Sequence, residues 1–164
     1  MTQTATQEFV IARSYPAPIE KVYQAWTEPE RMKQWFGPEG FNMPFCRTDL
    51  RPGGTTLYSM AGPDGAKMWG KLVYREIVPR LRIVAIHSFS DEKGGLTRHP
   101  LVATWPLEWL STASFGVQGG LTTVTVVWLP IRPAPEEART FADGREDMQK
   151  GWGGTLERLG DYLA

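Results

Sequence analysis

The sequence predicts an α+β domain in which a curved antiparallel sheet of about seven strands packs around a long C-terminal helix. Three observations support this fold class. The length of 164 residues suits one domain of ordinary size. Between residues 41 and 129, short extended runs alternate with turn residues, and most links are too short for crossover helices. From Pro135 to the end, apolar residues recur at steps of three and four, as in an amphipathic helix.

The chain opens with a predicted strand and two short helices. Residues 8–15 alternate more and less apolar side chains, as a strand does. Thr27 and Glu30 have the spacing of a capping box, which predicts that a second helix begins at Thr27 and ends before Gly37. The first helix begins at Pro18, and its apolar stripe contains Ile19, Val22, Tyr23 and Trp26.

Six further strands are predicted at 41–50, 55–61, 67–78, 81–89, 107–117 and 121–129, with a loop from residue 91 to about residue 105. A single long helix covers only part of such a sheet, so the pattern predicts a cavity on the inner surface.

Each glycine in the interior of the final helix lowers helix stability by about 1 kcal/mol relative to Ala. They therefore predict a kink or a close backbone contact at Gly144, Gly151, Gly153 and Gly154.

Composition disfavours several classes of partner. Eighteen basic and eighteen acidic residues give zero net charge, so there is no broad positive field for nucleic acid or an anionic membrane. No apolar stretch is long enough for a membrane span. The single Cys46 predicts a reducing, cytoplasmic location. His87 and His99 lack neighbours at ligand spacing, so we predict no metal site. The chain also has no phosphate-binding loop motif, and we predict no cofactor.

Two polar residues on otherwise apolar strand faces are candidates for chemistry. Glu76 has the parity of Tyr74, which predicts an inward carboxylate. A buried carboxylate needs a partner. Glu76 is therefore either a structural residue, in an ion pair or at the edge of the sheet, or a polar anchor or proton acceptor in the cavity. His87 is either a core imidazole or a ligand contact. His99 lies in the predicted loop, either exposed or as part of a lid.

Large rings are abundant, with seven Trp in the chain. Singly each suits a core, but together they indicate irregular space that a flat apolar molecule could enter. Met148 and Trp152 lie one helical turn apart and should face the sheet. Cys46 is predicted to be inert packing. The predicted ligand-binding residues are Trp35, Tyr58, Trp69, Tyr74, Glu76, His87, Trp109, Met148 and Trp152.

Several motifs resemble one known superfamily. They are Ala25-Trp26-Thr27, Asp49-Leu50-Arg51-Pro52-Gly53-Gly54 and Gly151-Trp152-Gly153-Gly154-Thr155-Leu156. In order and spacing the chain resembles the START-like, birch-pollen-allergen-like superfamily, also called SRPBCC. The resemblance extends to the branch of the heat-shock-protein-90 ATPase activator homologues and calicheamicin-resistance-like proteins. It implies the helix-grip fold, with residues 1–164 as one domain and residues 1–7 flexible.

The resemblance implies three alternative functions. The leading one is binding of a small hydrophobic molecule, aromatic, lipid or polyketide-like, between the sheet and the C-terminal helix. The second is a cyclase or hydrolase that uses Glu76 or His87 as general base. The third is a cochaperone-like domain with a link to stress response. The zero net charge and the single domain of this chain argue against that role. A homodimer through an exposed strand edge or the small helices is also compatible with the sequence.

Overall fold

The computed structural model describes residues 8–164, which form an α+β fold with a curled antiparallel sheet around a C-terminal helix. The predicted fold class is confirmed. Residues 1–7, predicted to be flexible, lie outside the described residues. In chain order the elements are β1 (Phe9–Tyr15), α1 (Ile19–Thr27), α2 (Pro29–Met32), β2 (Asn42–Thr48), β3 (Thr55–Ala61), β4 (Lys67–Val78), β5 (Arg82–Ser90), β6 (Leu96–Thr97), β7 (Trp109–Gln118), β8 (Leu121–Pro130), α3 (Pro135–Asp143) and α4 (Arg145–Leu163).

Seven strands follow the order β1-β8-β7-β5-β4-β3-β2, and each pairs antiparallel with its neighbours. The two-residue strand β6 is an addition to the prediction, because Leu96 and Thr97 pair with the end of β5 inside the segment predicted as a loop. Such a short pairing leaves no periodic signal in the sequence. Short hairpin links connect most neighbours, so the sheet order follows largely from the chain order.

The predicted capping box at Thr27 is wrong. The Thr27 hydroxyl donates to the carbonyl oxygen of Tyr23 at 2.9 Å, which places Thr27 in the last turn of α1. The second helix starts instead at Pro29, with Glu28 before it in extended conformation. Proline suits this first helical position, because an N–H there would have no partner in the helix and the ring holds φ near its helical value.

The predicted long C-terminal helix is two helices that meet at Gly144. Gly144 lies outside ideal helical geometry, with φ of −84° and ψ of 7°, and its N–H donates to Thr140 and Phe141. A Cβ at Gly144 would lie 3.3 Å from the Trp105 ring. The predicted kink and the predicted close contact therefore both occur there.

Candidate ligand cavity

Helix α4 covers two different regions of the interior. Its C-terminal half places Leu156, Leu159 and Leu163 in a close-packed core with β1, where Ile11 and Tyr15 are also buried. We call this region the packed half. Aliphatic side chains interlock well in low-energy rotamers, which explains the dense filling.

The N-terminal half of α4 lies over a cavity of about 220 Å³. We call this region the cavity half. On the helix side the cavity is lined by Met148, Gly151, Trp152 and Thr155. A Cβ at Gly151 would meet no atom within 4 Å, so this glycine leaves space rather than a close contact. The same holds for Gly153, so of the predicted kink or close backbone contact, the close contact is absent at both positions.

Six predicted site residues line the cavity: Tyr58, Trp69, His87, Trp109, Met148 and Trp152. Their role in ligand binding stays a prediction. The strand side follows from alternation, because Tyr58 on β3 and His87 on β5 both point to the concave face. Gly70 on β4 makes room for the Tyr58 ring, since a Cβ there would lie 2.4 Å from the phenol oxygen.

Tyr58 and His87 form a buried polar pair. The Tyr58 hydroxyl lies 2.6 Å from His87 Nε2, and both side chains are buried. Burial away from water lowers the pKa of His87 to about 3 and raises the pKa of Tyr58, because both charged forms lose their hydration. Both groups are therefore neutral at pH 7.

Two indole rings lie close to the imidazole ring of this pair. The His87 ring centre lies 4.7 Å from that of Trp109 and 5.4 Å from that of Trp128. Within residues 8–164, His87 Nδ1 and the indole N–H groups of Trp109 and Trp128 have no hydrogen-bond partner. Buried polar atoms are normally paired, so a group of unpartnered ones around a cavity is unusual.

Glu76 does not lie in the cavity, so the predicted inward carboxylate is wrong. A β-bulge at Arg75 shifts the register, so that Tyr74 pairs with Ala85 and Glu76 pairs with Val84. The extra residue turns Glu76 to the outer face, where it bonds Arg82 at 2.5 Å with its side chain 48% exposed. Of the two interpretations, the structural ion pair is the one observed.

Two other predicted residues lie near the cavity but do not line it. Trp35 is fully buried behind Phe36 and donates its indole N–H to the Ala25 carbonyl at 3.0 Å, so it is a core residue. Tyr74 instead lines a smaller inner space of about 40 Å³, and its hydroxyl lies 2.5 Å from the hydroxyl of Thr56.

The sequence interpretation missed several lining residues. Phe36 and Trp128 border the cavity, as do Met60 and Met68. Alternation gave a usable signal for Trp128, which has the same parity as the buried Val124 and Val126 of β8. The two methionines likewise have the parity of Tyr58 and Gly70.

Two other candidate groups, Cys46 and His99, do not line the cavity. Burial raises the pKa of the Cys46 thiol to about 11, which agrees with inert packing. His99 is half-buried in the segment after β6, and its Nδ1 accepts hydrogen bonds from the N–H groups of Leu101 and Val102.

Across the described chain, no three His, Cys, Asp or Glu side chains form a group that could hold a metal ion. No helix in residues 8–164 is both long and apolar enough to cross a membrane.

Comparison with known proteins places this architecture in a family. The sequence model described as "Activator of Hsp90 ATPase homolog 1-like protein" matches residues 16–164. No curated protein matches the chain.

Solved structures from several bacteria share the fold. A Nitrosomonas europaea protein is 23% identical with a TM-score of 0.77, over 98% of this chain and 96% of that chain. A Mycobacterium smegmatis protein is 21% identical with a TM-score of 0.78, over 97% and 91%. An AHSA1 protein from Silicibacter pomeroyi is 14% identical with a TM-score of 0.72, over 96% and 97%. Because the sequence match extends over nearly the whole described chain and the fold agrees with it, this chain belongs to the family of Activator of Hsp90 ATPase homolog 1-like proteins, with the SRPBCC-type fold.

Proposed function

We propose that the protein binds a small apolar molecule in the cavity between the sheet and the N-terminal half of α4. The family supports, in general terms, either ligand binding or a role like that of Hsp90 ATPase activators. The observation that favours ligand binding is the cavity itself. It has a volume of about 220 Å³, and no charged side chain of the described residues lines it. Apolar, ring-lined concavities are typical sites for small molecules.

The composition of the lining supports an aromatic ligand. Phe36, Tyr58, Trp109 and Trp128 present rings to one space, and Met60 adds a flexible thioether. Aromatic side chains stack favourably on flat partners, and methionine adapts its shape to an irregular one. The volume is below the roughly 300–1,000 Å³ of sites for drug-sized ligands, so we expect a ligand of two or three rings.

Gly151 offers a direct test. A leucine there would project into the cavity without a backbone clash, since the position is open and helical. The neutral fluorescent probe 1-aminoanthracene should bind the natural protein saturably, with increased emission, and Gly151→Leu should weaken binding at least about tenfold, equivalent to about 1.4 kcal/mol.

Gly153→Leu is the matched control. It places the same side chain on the same helix, in equally open space, at a position that does not line the cavity. It should bind the probe like the natural protein. Absence of saturable binding to the natural protein would contradict the proposal, and so would equal binding by both variants when circular dichroism shows both to be folded.

General acid–base catalysis has less physical support in this cavity. Glu76 lies on the outer face in an exposed ion pair, and the low pKa of His87 makes it a weak base at pH 7. A cochaperone role is supported by the family description alone, and the cytoplasmic location remains a prediction. A pull-down with a purified bacterial chaperone of the 90-kilodalton class tests the cochaperone role, and no capture at micromolar concentration would count against it.

A further inference from the structure

The Tyr58–His87 pair has one more hydrogen-bond donor than it can use. A neutral phenol carries one O–H, and a neutral imidazole carries one N–H. The two groups share one hydrogen bond of 2.6 Å. If Tyr58 donates, the His87 Nδ1–H is left without an acceptor, because Nδ1 has no partner among the described residues. If His87 Nε2–H donates instead, the Tyr58 O–H is left. Either tautomer leaves one proton without an acceptor.

Two further donors belong to the same wall. The indole N–H groups of Trp109 and Trp128 are buried without a partner in the part of the chain described. Both residues line the cavity, and their rings lie 5.2 Å apart. An indole N–H donates and never accepts. The Ser88 hydroxyl, also unpartnered at the lining, can donate as well. The sheet side of the cavity is therefore rich in donors.

Acceptors and charges do not balance these donors. No carboxylate or amide side chain of residues 8–164 lines the cavity, and no cation does. An unpaired buried donor is unfavourable, so a ligand that supplies an acceptor removes this penalty. A carboxylate ligand would also accept, but burying its charge without a cation is strongly unfavourable.

Resting on the proposed function, we propose that the ligand is an uncharged ring compound that carries a carbonyl-type acceptor oxygen. The donors around Tyr58, His87, Trp109 and Trp128 recognise this oxygen, while the aromatic wall recognises the rings. An uncharged acceptor satisfies the leftover proton of the pair and avoids the desolvation cost of a charge.

A matched pair of compounds tests this inference. 9-Fluorenone and fluorene share the same three-ring skeleton and differ at one carbon, which carries the carbonyl in the ketone. Calorimetry should show at least about tenfold tighter binding of the ketone, equivalent to about 1.4 kcal/mol. In spectra of nitrogen-15-labelled protein, the ketone should shift the indole N–H signals of Trp109 or Trp128 downfield. Fluorene should not produce this shift.

Variants separate recognition of the oxygen from packing. Trp109→Phe and Trp128→Phe each remove a donor and keep a ring, so the ketone-to-hydrocarbon affinity ratio should fall several-fold. Trp69→Phe is the control, because Trp69 lines the cavity but its indole N–H is not among the buried unpartnered groups. Taking the ratio within one variant cancels the change in packing. If either variant fails to fold, the indole shifts in the natural protein still decide the question.

Each outcome has a defined meaning. Equal affinity for both compounds would overturn this inference and leave the proposed function intact. Tighter binding of the charged fluorene-9-carboxylate would overturn the assignment of an uncharged ligand. Failure of both neutral compounds, with 1-aminoanthracene still bound, would overturn the inference alone. Failure of all three neutral compounds would overturn the proposed function as well.

Discussion

The two halves of the interior beneath α4 differ in how their space is filled. In the packed half, Leu156 and Leu159 are fully buried against β1. In the cavity half, Gly151 and Trp152 lie over about 220 Å³ of space. Both halves belong to one helix and one sheet. The side chains of a few positions along α4 therefore decide where the fold is solid and where it is hollow.

Polar atoms differ between the halves in the same way. In the packed half, the Tyr15 hydroxyl donates to the Leu156 carbonyl at 2.6 Å. In the cavity half, His87 Nδ1 and the N–H groups of Trp109 and Trp128 have no partner within the described residues. The packed half is satisfied by the protein itself, whereas the cavity half is completed by a ligand in our proposal.

The largest expected effect concerns the pH dependence of stability in the cavity half. The pKa of His87 is about 3 in the folded protein and near 6.5 unfolded, so the unfolded chain takes up the proton first as pH falls. The stabilisation is fully present above pH 6.5 and is lost below it. The loss approaches about 5 kcal/mol near pH 3, at about 1.36 kcal/mol for each pH unit.

His87→Gln isolates this contribution. Urea unfolding of both proteins between pH 7 and pH 4 should show a steeper loss for the natural protein, since all other titrating groups, including His99, are common to both. Parallel stability curves would contradict a neutral, buried His87.

The next effect compares truncations in the two halves. Leu159→Ala removes a fully buried side chain from the packed half and should lower the free energy of unfolding by about 2–5 kcal/mol. Met148→Ala truncates a side chain that already borders the cavity, so it should lower the free energy of unfolding by less than half as much. Thermal and urea unfolding measure both, and equal losses would contradict the difference in packing. Leu159→Ala should still bind 1-aminoanthracene.

The smallest effect concerns Glu76 on the outer face. Its ion pair with Arg82 is about half-exposed, and such pairs contribute between about 0 and 1 kcal/mol. Glu76→Gln should therefore change the free energy of unfolding by less than about 1 kcal/mol and leave probe binding unchanged. Loss of probe binding in this variant would contradict the conclusion that Glu76 plays no part in the cavity.

Much of the fold was predictable because periodicity reports which face is buried. Alternation along β4 correctly placed Tyr74 on the inner face, and the three- and four-residue steps placed Met148 and Trp152 toward the sheet. The bulge at Arg75 was not predictable, since one inserted residue inverts the parity of everything after it without a local composition signal.

The candidate site was predictable only in part, for a related reason. Periodicity predicts that Trp35 is buried. It does not predict which of the adjacent rings of Trp35 and Phe36 borders the cavity, and in the structure Phe36 does. Likewise, the glycines of the predicted C-terminal helix look equivalent in sequence. Gly144 breaks the helix, whereas Gly151 lies open to the cavity. These distinctions depend on contacts between distant elements.

The central claim is that the cavity half is accessible apolar space and the packed half is not. Diffraction from crystals held under xenon gas tests this directly, because xenon enters dry apolar cavities. We expect an anomalous peak between His87 and Gly151 and none beside Leu159. A cavity half without xenon, or a peak within the packed half, would contradict the account.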